Sequence, residues 1–166
     1  MKTLVKPSTK IFNTKLEDFD FNGEHDPKEI AGVLFNQLVT HNGLGLSANQ
    51  LGLPHRVFIM RGDPCTVCFN PEITYYSEET IVLEEGCLTY PNLFVKVRRP
   101  VQIRARWINE LGELKASVLQ GLSARVFQHE LDHLNGLNYQ DRATKFHLEQ
   151  AKNKQKKLTR KQKKVV

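Results

Sequence analysis

The residues with the most evident chemical use form a short motif, His129-Glu130-Leu131-Asp132-His133. Residues four positions apart lie on one face of an α-helix, so both imidazole rings can reach the same cation. The glutamate beside the first histidine is then placed to act as a general base. The alternative is that the two histidines bind no metal and are simply exposed to solvent or buried in the core. Because the motif lies inside a segment with helical spacing of apolar residues, we predict a metal site.

A catalytic metal site of this type needs a third protein ligand and one open coordination position. Zinc proteases take that ligand from downstream, where His147 and Glu149 lie outside any recognisable protease motif. Upstream, the segment 85–89 places the thiol of Cys87 at the end of a predicted strand. Burial as a small apolar residue is an equally frequent role for a free cysteine. The residues alone therefore leave the third ligand open.

Three segments occur in an informative order along the chain: GLGLSANQ (43–50), EGCLT (85–89) and QHELDHLNG (128–136). They resemble the G-x-G-x-A-A-x-Q, E-G-C-x-S and Q-H-E-x-D-H-L-x-G motifs of the peptide deformylase family. Asn70-Pro71-Glu72-Ile73 and Arg99-Pro100 also resemble landmarks of that family. The resemblance covers roughly residues 27 to 141.

The resemblance implies a metal-dependent hydrolase that removes the formyl group from the N-terminal formyl-methionine of nascent polypeptides and releases formate. It implies that Cys87, His129 and His133 bind one divalent metal ion. Family usage favours Fe(II), while a thiolate with two imidazoles also suits Zn, Ni or Co.

The same resemblance assigns the catalytic groups. Glu130 is expected to accept a proton from the attacking water and to pass it to the leaving amine. The side-chain amide of Gln50 and the backbone N–H of Leu88 are expected to stabilise the oxyanion. Ser47 stands where the family usually has Ala, and Thr89 where it has Ser. Both differences are small, and we expect them to leave the chemistry intact.

Substrate selection is expected to use an apolar pocket for methionine. Leu122 and Val126 lie seven and three residues before His129, so they share its helix face. Leu44 and Gly45 are further candidates for contact with the substrate. They lie in the loop of residues 43–52, which we call the glycine loop. Ordinary core packing is the alternative role for the three apolar side chains.

Two charged residues are expected to support the metal ligands without touching the substrate. Glu85 precedes Cys87 by two positions, and Arg99 follows on the next predicted strand. Hydrogen bonds from such neighbours orient ligand side chains and tune their basicity. We therefore expect Glu85 and Arg99 to hold the ligand strand and the ligand helix in place.

The elements that must position these residues can be predicted from apolar spacing. Asp26-Pro27 resembles a helix start, and Ile30, Leu34 and Leu38 follow at helical spacing, which predicts a helix from about 27 to 41. Short strands are predicted at 56–60, 65–70 and 80–83.

The strand pattern is clearest from residue 93 to residue 119, a range that includes Arg99. Apolar residues alternate with charged or polar ones over 101–107, a turn is predicted at 109–112, and 113–119 returns as a strand. A second helix is predicted from about 122 to 135, and a basic helix from about 143 to 163. Because no regular βαβ alternation is present, we predict an α+β fold with antiparallel strands around the central helix that carries the histidine motif.

Length and charge predict one catalytic domain, residues 1–142, and a basic tail, residues 143–166. The tail carries nine Lys and Arg and one acid, a net charge of +8, whereas the whole chain is +6 and the remainder therefore −2. The tail is either a solvated helix or a contact for ribosomal RNA. With no apolar run near the ~20 residues of a membrane span and no secretory signal, we expect a cytoplasmic protein that acts as a monomer without a membrane partner.

Three other functions share parts of the pattern. A zinc endopeptidase would use the same helix motif, but with a downstream third ligand and no role for Cys87. A related hydrolase would remove a different acyl group. A ribosome-binding or RNA-binding module would carry a structural metal site closed by four protein ligands, whereas the sequence offers three ligands and a base.

Overall fold

The computed structural model of the chain describes residues 3–162, with side chains described as far as Arg160. In this part of the chain, no helix has both the length and the apolar character required to cross a bilayer. The α-helices are α1 (Pro27–Thr40), α2 (Gly121–Leu134) and α3 (Lys145–Gln162). The strands are β1 (Gly45–Ser47), β2 (Val57–Met60), β3 (Thr66–Tyr76), β4 (Thr80–Cys87), β5 (Tyr90–Pro100), β6 (Gln102–Ile108) and β7 (Leu114–Gln120).

The strands form two antiparallel sheets, which confirms the predicted α+β class. The larger sheet has the order β1-β2-β3-β6-β7, and β4 pairs with β5 in a separate two-stranded sheet. Helix α2 contacts both sheets and is therefore central, as predicted. Its apolar face packs on the larger sheet, where the rings of Phe58 and Phe127 meet edge to face at 5.0 Å.

Helix α1 begins as its sequence predicts. The Asp26 side chain accepts a hydrogen bond from the backbone N–H of Lys28, and Pro27 occupies the first helical position. The helix buries Leu34 and Leu38 against the short strands β1 and β2. This packing fixes the start of the glycine loop, which follows the helix directly.

Two strands extend further than the sequence indicated. Strand β3 continues through Pro71 to Tyr76, because its pairing with β6 has a register shift between Phe69 and Glu72 that accommodates the proline. Asn70 adopts φ 48° at this irregularity. Strand β4 reaches Cys87 instead of ending near residue 83, so the cysteine lies at the tip of the β4–β5 hairpin.

Helix α3 packs against the β4–β5 hairpin with one face. Its Ala151 is buried with Leu93, Val95 and Tyr139 in a third apolar cluster. The side chain of Gln155 donates a hydrogen bond of 2.9 Å to the carbonyl of Pro91. The predicted basic helix is therefore present from Lys145 to Gln162, and the last position of its predicted range, 163, lies outside the described residues.

Candidate active site

The three predicted metal ligands lie together. Cys87 ends β4, whereas His129 and His133 lie one turn apart on α2. The Cys87 sulfur is 3.4 Å from Nε2 of His133, and the two Nε2 atoms are 3.2 Å apart. All three donor atoms lie within 4.8 Å of one another, a spacing that one cation can span.

The hairpin is built so that Cys87 faces α2. The pairing of β4 with β5 shifts register between Glu85 and Cys87, and such irregularities change the direction of a side chain. A Cβ at Gly86, at the irregularity, would lie 2.8 Å from the ring of Phe94, so any side chain there would require this half-exposed ring to move. The chain then turns at Leu88 and enters β5 at Tyr90.

A contact at Nδ1, the ring nitrogen that faces away from the cluster, orients each histidine. Nδ1 of His129 lies 3.0 Å from a carboxylate oxygen of Glu85, and Nδ1 of His133 lies 3.3 Å from the carbonyl oxygen of Leu137. Both partners are acceptors, so each Nδ1 can donate its hydrogen to them, which leaves Nε2 of the neutral ring available to bind a cation.

A buried ion-pair network surrounds Glu85. Arg99 donates to both Glu85 oxygens, at 2.6 and 3.0 Å, and to Asp132 at 2.8 Å. Burial alone would raise the pKa of Glu85, but hydrogen bonds from His129 and Arg99 outweigh it and lower the pKa to about 2. The two residues expected to support the ligands are thus in contact with each other, and they connect β4 and β5 with α2.

Arg125 belongs to the same network and was not identified from the sequence. It is 6% exposed and donates from Nη1 to Glu85 at 2.6 Å and to the carbonyl of Val97 at 3.1 Å. Its Nη2 donates to the carbonyl of Ile81 at 2.8 Å. The available signal was its position four residues before His129, a charged side chain on the face that carries the motif.

Gln50 points its amide nitrogen at the metal-ligand cluster. Nε2 donates to the Thr89 hydroxyl at 3.1 Å and lies 3.5 Å from the Cys87 sulfur. Its Oε1 accepts from the backbone N–H and the hydroxyl of Ser47, at 3.0 and 3.1 Å. The two positions that depart from the family pattern, Ser47 and Thr89, therefore hold both ends of this amide.

Glu130 is buried beside the histidines. It is 4% exposed, and its Oε2 is buried without a hydrogen-bond partner. Burial raises the pKa of Glu130 to about 7, which suits a group that accepts and returns a proton near neutral pH. A Cβ at position 45 would lie 2.5 Å from Oε1 of Glu130, so Gly45 leaves space for this carboxylate.

A pocket of about 430 Å³ opens onto Glu130 and His129, and its walls are mostly apolar. The four predicted substrate-contact residues all line it: Leu44, Gly45, Leu122 and Val126. Leu122 is 62% exposed and Leu44 is 51% exposed, so neither is an ordinary core residue. Leu88 and Gln50 line the same pocket, which brings the expected oxyanion donors to its inner end.

Comparison with known proteins gives one consistent result. The family model described as "Polypeptide deformylase" matches residues 1–149. A peptide deformylase of Thermotoga petrophila is 39% identical over 143 residues, which are 86% of this chain and 80% of that protein. Among solved structures, a Plasmodium falciparum peptide deformylase bound to an inhibitor has a TM-score of 0.84 at 28% identity, covering 95% of this chain and 99% of that one. A Synechococcus elongatus peptide deformylase in complex with actinonin has a TM-score of 0.84 at 26% identity, covering 92% and 84%.

The contacts of Arg125 predict that it contributes to metal affinity through Glu85. We expect Arg125→Met to weaken metal binding about 10–100-fold, the usual effect of removing a partner that orients a ligand. We expect it also to lower the free energy of unfolding by about 1–3 kcal/mol, since Glu85 keeps Arg99 and His129 but loses one buried hydrogen-bond partner. Chelator competition and urea unfolding measure the two effects.

Arg106→Met is the matched control for this prediction. Arg106 pairs with Glu72, and both side chains are more than half exposed, so the loss should be below about 1 kcal/mol with metal affinity unchanged. Equal metal affinity in Arg125→Met and the wild type would contradict the assignment.

Proposed function

This chain belongs to the polypeptide deformylase family, whose members remove the N-formyl group from nascent polypeptides, and we propose that it performs this hydrolysis with a metal ion held by Cys87, His129 and His133. The observation that carries the proposal is the convergence of these three donors beside an apolar pocket that Cys87, His129 and the buried carboxylate of Glu130 line. The products are formate and a polypeptide with a free N-terminal methionine.

The donor set fits a divalent transition metal. One thiolate and two imidazoles suit Fe(II), Zn, Ni or Co, and family usage leads us to propose Fe(II). The downstream residues that a zinc protease would need offer no substitute, because His147 lines a separate groove and Glu149 is exposed. When bound, such an ion polarises the formyl carbonyl and lowers the pKa of a water molecule.

Glu130 would manage the protons of the reaction. Its unpartnered Oε2 can accept a proton from the attacking water and later deliver it to the nitrogen of the departing methionine. One group can therefore serve as base and then as acid.

Gln50 and Leu88 would stabilise the charge that develops on the formyl oxygen. The Gln50 amide is fixed by Ser47 on one side and by Thr89 on the other, so its N–H group is oriented before the substrate arrives. The backbone N–H of Leu88 follows Cys87 directly in the hairpin turn. The loss of one such donor typically costs about 10²–10³ in rate.

The methionine side chain of the substrate would occupy the apolar pocket. Leu44, Leu122 and Val126 present apolar surface there, and Gly45 allows the substrate backbone to approach. A long, unbranched thioether fills irregular apolar space at low cost.

Replacing the base tests the catalytic assignment. We expect Glu130→Gln to slow formate release from formyl-Met-Ala-Ser by at least about 10², because the amide cannot accept the proton. Enzyme purified without oxygen is compared with the wild type at equal metal content. Acetyl-Met-Ala-Ser is the control substrate, and faster cleavage of the acetyl peptide would favour the enzyme for a different acyl group.

Replacing the sulfur ligand separates the deformylase from the zinc protease. We expect Cys87→Ala to lose both metal and formate release, since two imidazoles alone bind such ions weakly. Elemental analysis after dialysis measures the metal. Removal of the ion from the wild type by a chelator should abolish release, and added Fe(II) should restore it. An active, fully metallated Cys87→Ala would instead favour a site without this thiolate.

For the whole chain, we propose that residues 1–142 carry catalysis and that the basic segment 143–166 contacts ribosomal RNA. The exposed face of α3 that carries Lys152, Lys156 and Arg160 supports this, since it lies away from the face packed on β5. We further propose a cytoplasmic monomer, in which this face stays free for the ribosome.

The RNA contact predicts a loss on charge reversal. We expect Lys152→Glu/Lys156→Glu to weaken co-sedimentation with ribosomes at low salt, while tripeptide turnover stays unchanged. Charge reversal is preferable to truncation at residue 150, which would remove the buried Ala151 and the Gln155 contact with Pro91. Lys10→Glu/Lys28→Glu carries the same charge change elsewhere and serves as the control. Equal sedimentation of both variants and the wild type would contradict the contact.

A further inference from the structure

A second groove lies beside the catalytic pocket, between the β4–β5 hairpin and α3. It has a volume of about 450 Å³. The hairpin contributes Glu84, Phe94 and Lys96 to its walls, and α3 contributes His147, Lys154 and Lys157 among others. We call it the lysine groove.

The lysine groove is positively charged. Three lysines line it against one acid, Glu84, whose carboxylate is 3.7 Å from Nζ of Lys154. The side chains of Lys154 and Glu84 are 63% and 49% exposed, so their ion pair is weak. Lys154 can therefore exchange Glu84 for another carboxylate. Within residues 3–162, neither Lys96 nor Lys157 has a carboxylate within ion-pair distance. An anionic side chain that entered the groove would therefore meet available ammonium groups.

The groove is continuous with the catalytic pocket. Glu84 and Phe94 line both cavities, so the catalytic pocket and the lysine groove share part of their walls. Because the two cavities share these residues, a polypeptide whose formyl-methionine occupies the catalytic pocket has a direct path across them into the groove. An extended chain advances by about 3.3 Å per residue, so a few residues after the methionine suffice to reach the lysines.

We propose that the lysine groove binds acidic side chains of the polypeptide substrate, a few residues after its formyl-methionine. The inference rests on the proposed function and deepens it, because it gives the enzyme a preference among nascent chains. Lys96, Lys154 and Lys157 attract the carboxylates, while the exposed ring of Phe94 provides apolar contact for the intervening residues.

The composition of the groove favours a peptide over nucleic acid. Glu84 stands in its wall and would repel a backbone with a charge on every unit, whereas a peptide can place an uncharged residue there. Gln150 and Asn153 also line it and can hydrogen-bond to peptide amides. The lysines proposed for ribosomal RNA, Lys152 and Lys156, do not line the groove.

Peptide kinetics test the preference. Three substrates, formyl-Met-Ala-Ser extended by Glu-Glu-Glu, Gln-Gln-Gln or Lys-Lys-Lys, are compared by kcat and KM at low and high salt. We expect kcat/KM to be about three- to tenfold higher for the glutamate than for the lysine peptide, mainly through KM, as two exposed ion pairs would give. High salt should remove most of the difference.

Charge reversal assigns the preference to the groove. We expect Lys154→Glu/Lys157→Glu to abolish or invert it, while turnover of formyl-Met-Ala-Ser, which has no acidic side chain, stays unchanged. Lys152→Glu/Lys156→Glu makes the same change in net charge on the other face of α3 and should keep the preference.

The possible failures are distinguishable. No formate from formyl-Met-Ala-Ser would overturn the proposed function itself. Turnover of the tripeptide with equal kcat/KM for all three extended peptides would overturn the groove proposal alone, and so would an equal effect of both double variants. Loss of ribosome co-sedimentation in Lys154→Glu/Lys157→Glu, with the peptide preference intact, would assign the groove to RNA and also overturn it.

Discussion

The buried carboxylate of Glu85 is the interaction on which the site depends. It accepts hydrogen bonds from Arg99, Arg125 and the ring of His129, and thereby joins both strands of the hairpin to α2. Burying this much charge is tolerable only because each group is paired. If the carboxylate were absent, two guanidinium groups would remain in the interior with too few acceptors, and His129 would lose the contact that sets its ring. The position of the metal ligands is thus a property of the network rather than of single residues.

Much of the fold and site could be predicted from the sequence because the relevant signals are local. The helical spacing of His129 and His133 places them on one face, and Asp26-Pro27 starts α1 as its side-chain chemistry requires. The extent of β3 was missed because Pro71 normally ends a paired strand, and only the register shift opposite β6 lets this one continue.

The remaining features depend on contacts between distant parts of the chain. The sequence places Arg125 on the helix face of His129, but its link to Glu85 is recognisable only from its three acceptors on β4 and β5. In the sequence, Ser47 and Thr89 are small departures from two separate motifs, 42 positions apart. Only the fold shows that both hydrogen-bond to the side-chain amide of Gln50. The lysine groove likewise requires α3 to lie beside the hairpin, which the apolar contacts of Ala151 decide.

The division of the ligands between two structural layers has a consequence for the lifetime of the protein. Cys87 lies on the two-stranded hairpin, whereas both histidines lie on the helix that packs against the larger sheet. An ion bound by all three would act as a cross-link between these layers, and binding energy of this kind adds to the energy that keeps them together. Loss of such an ion would then do more than stop catalysis: it would loosen the hairpin and expose its strands to cellular proteases. Metal supply would set the abundance of the enzyme as well as its activity.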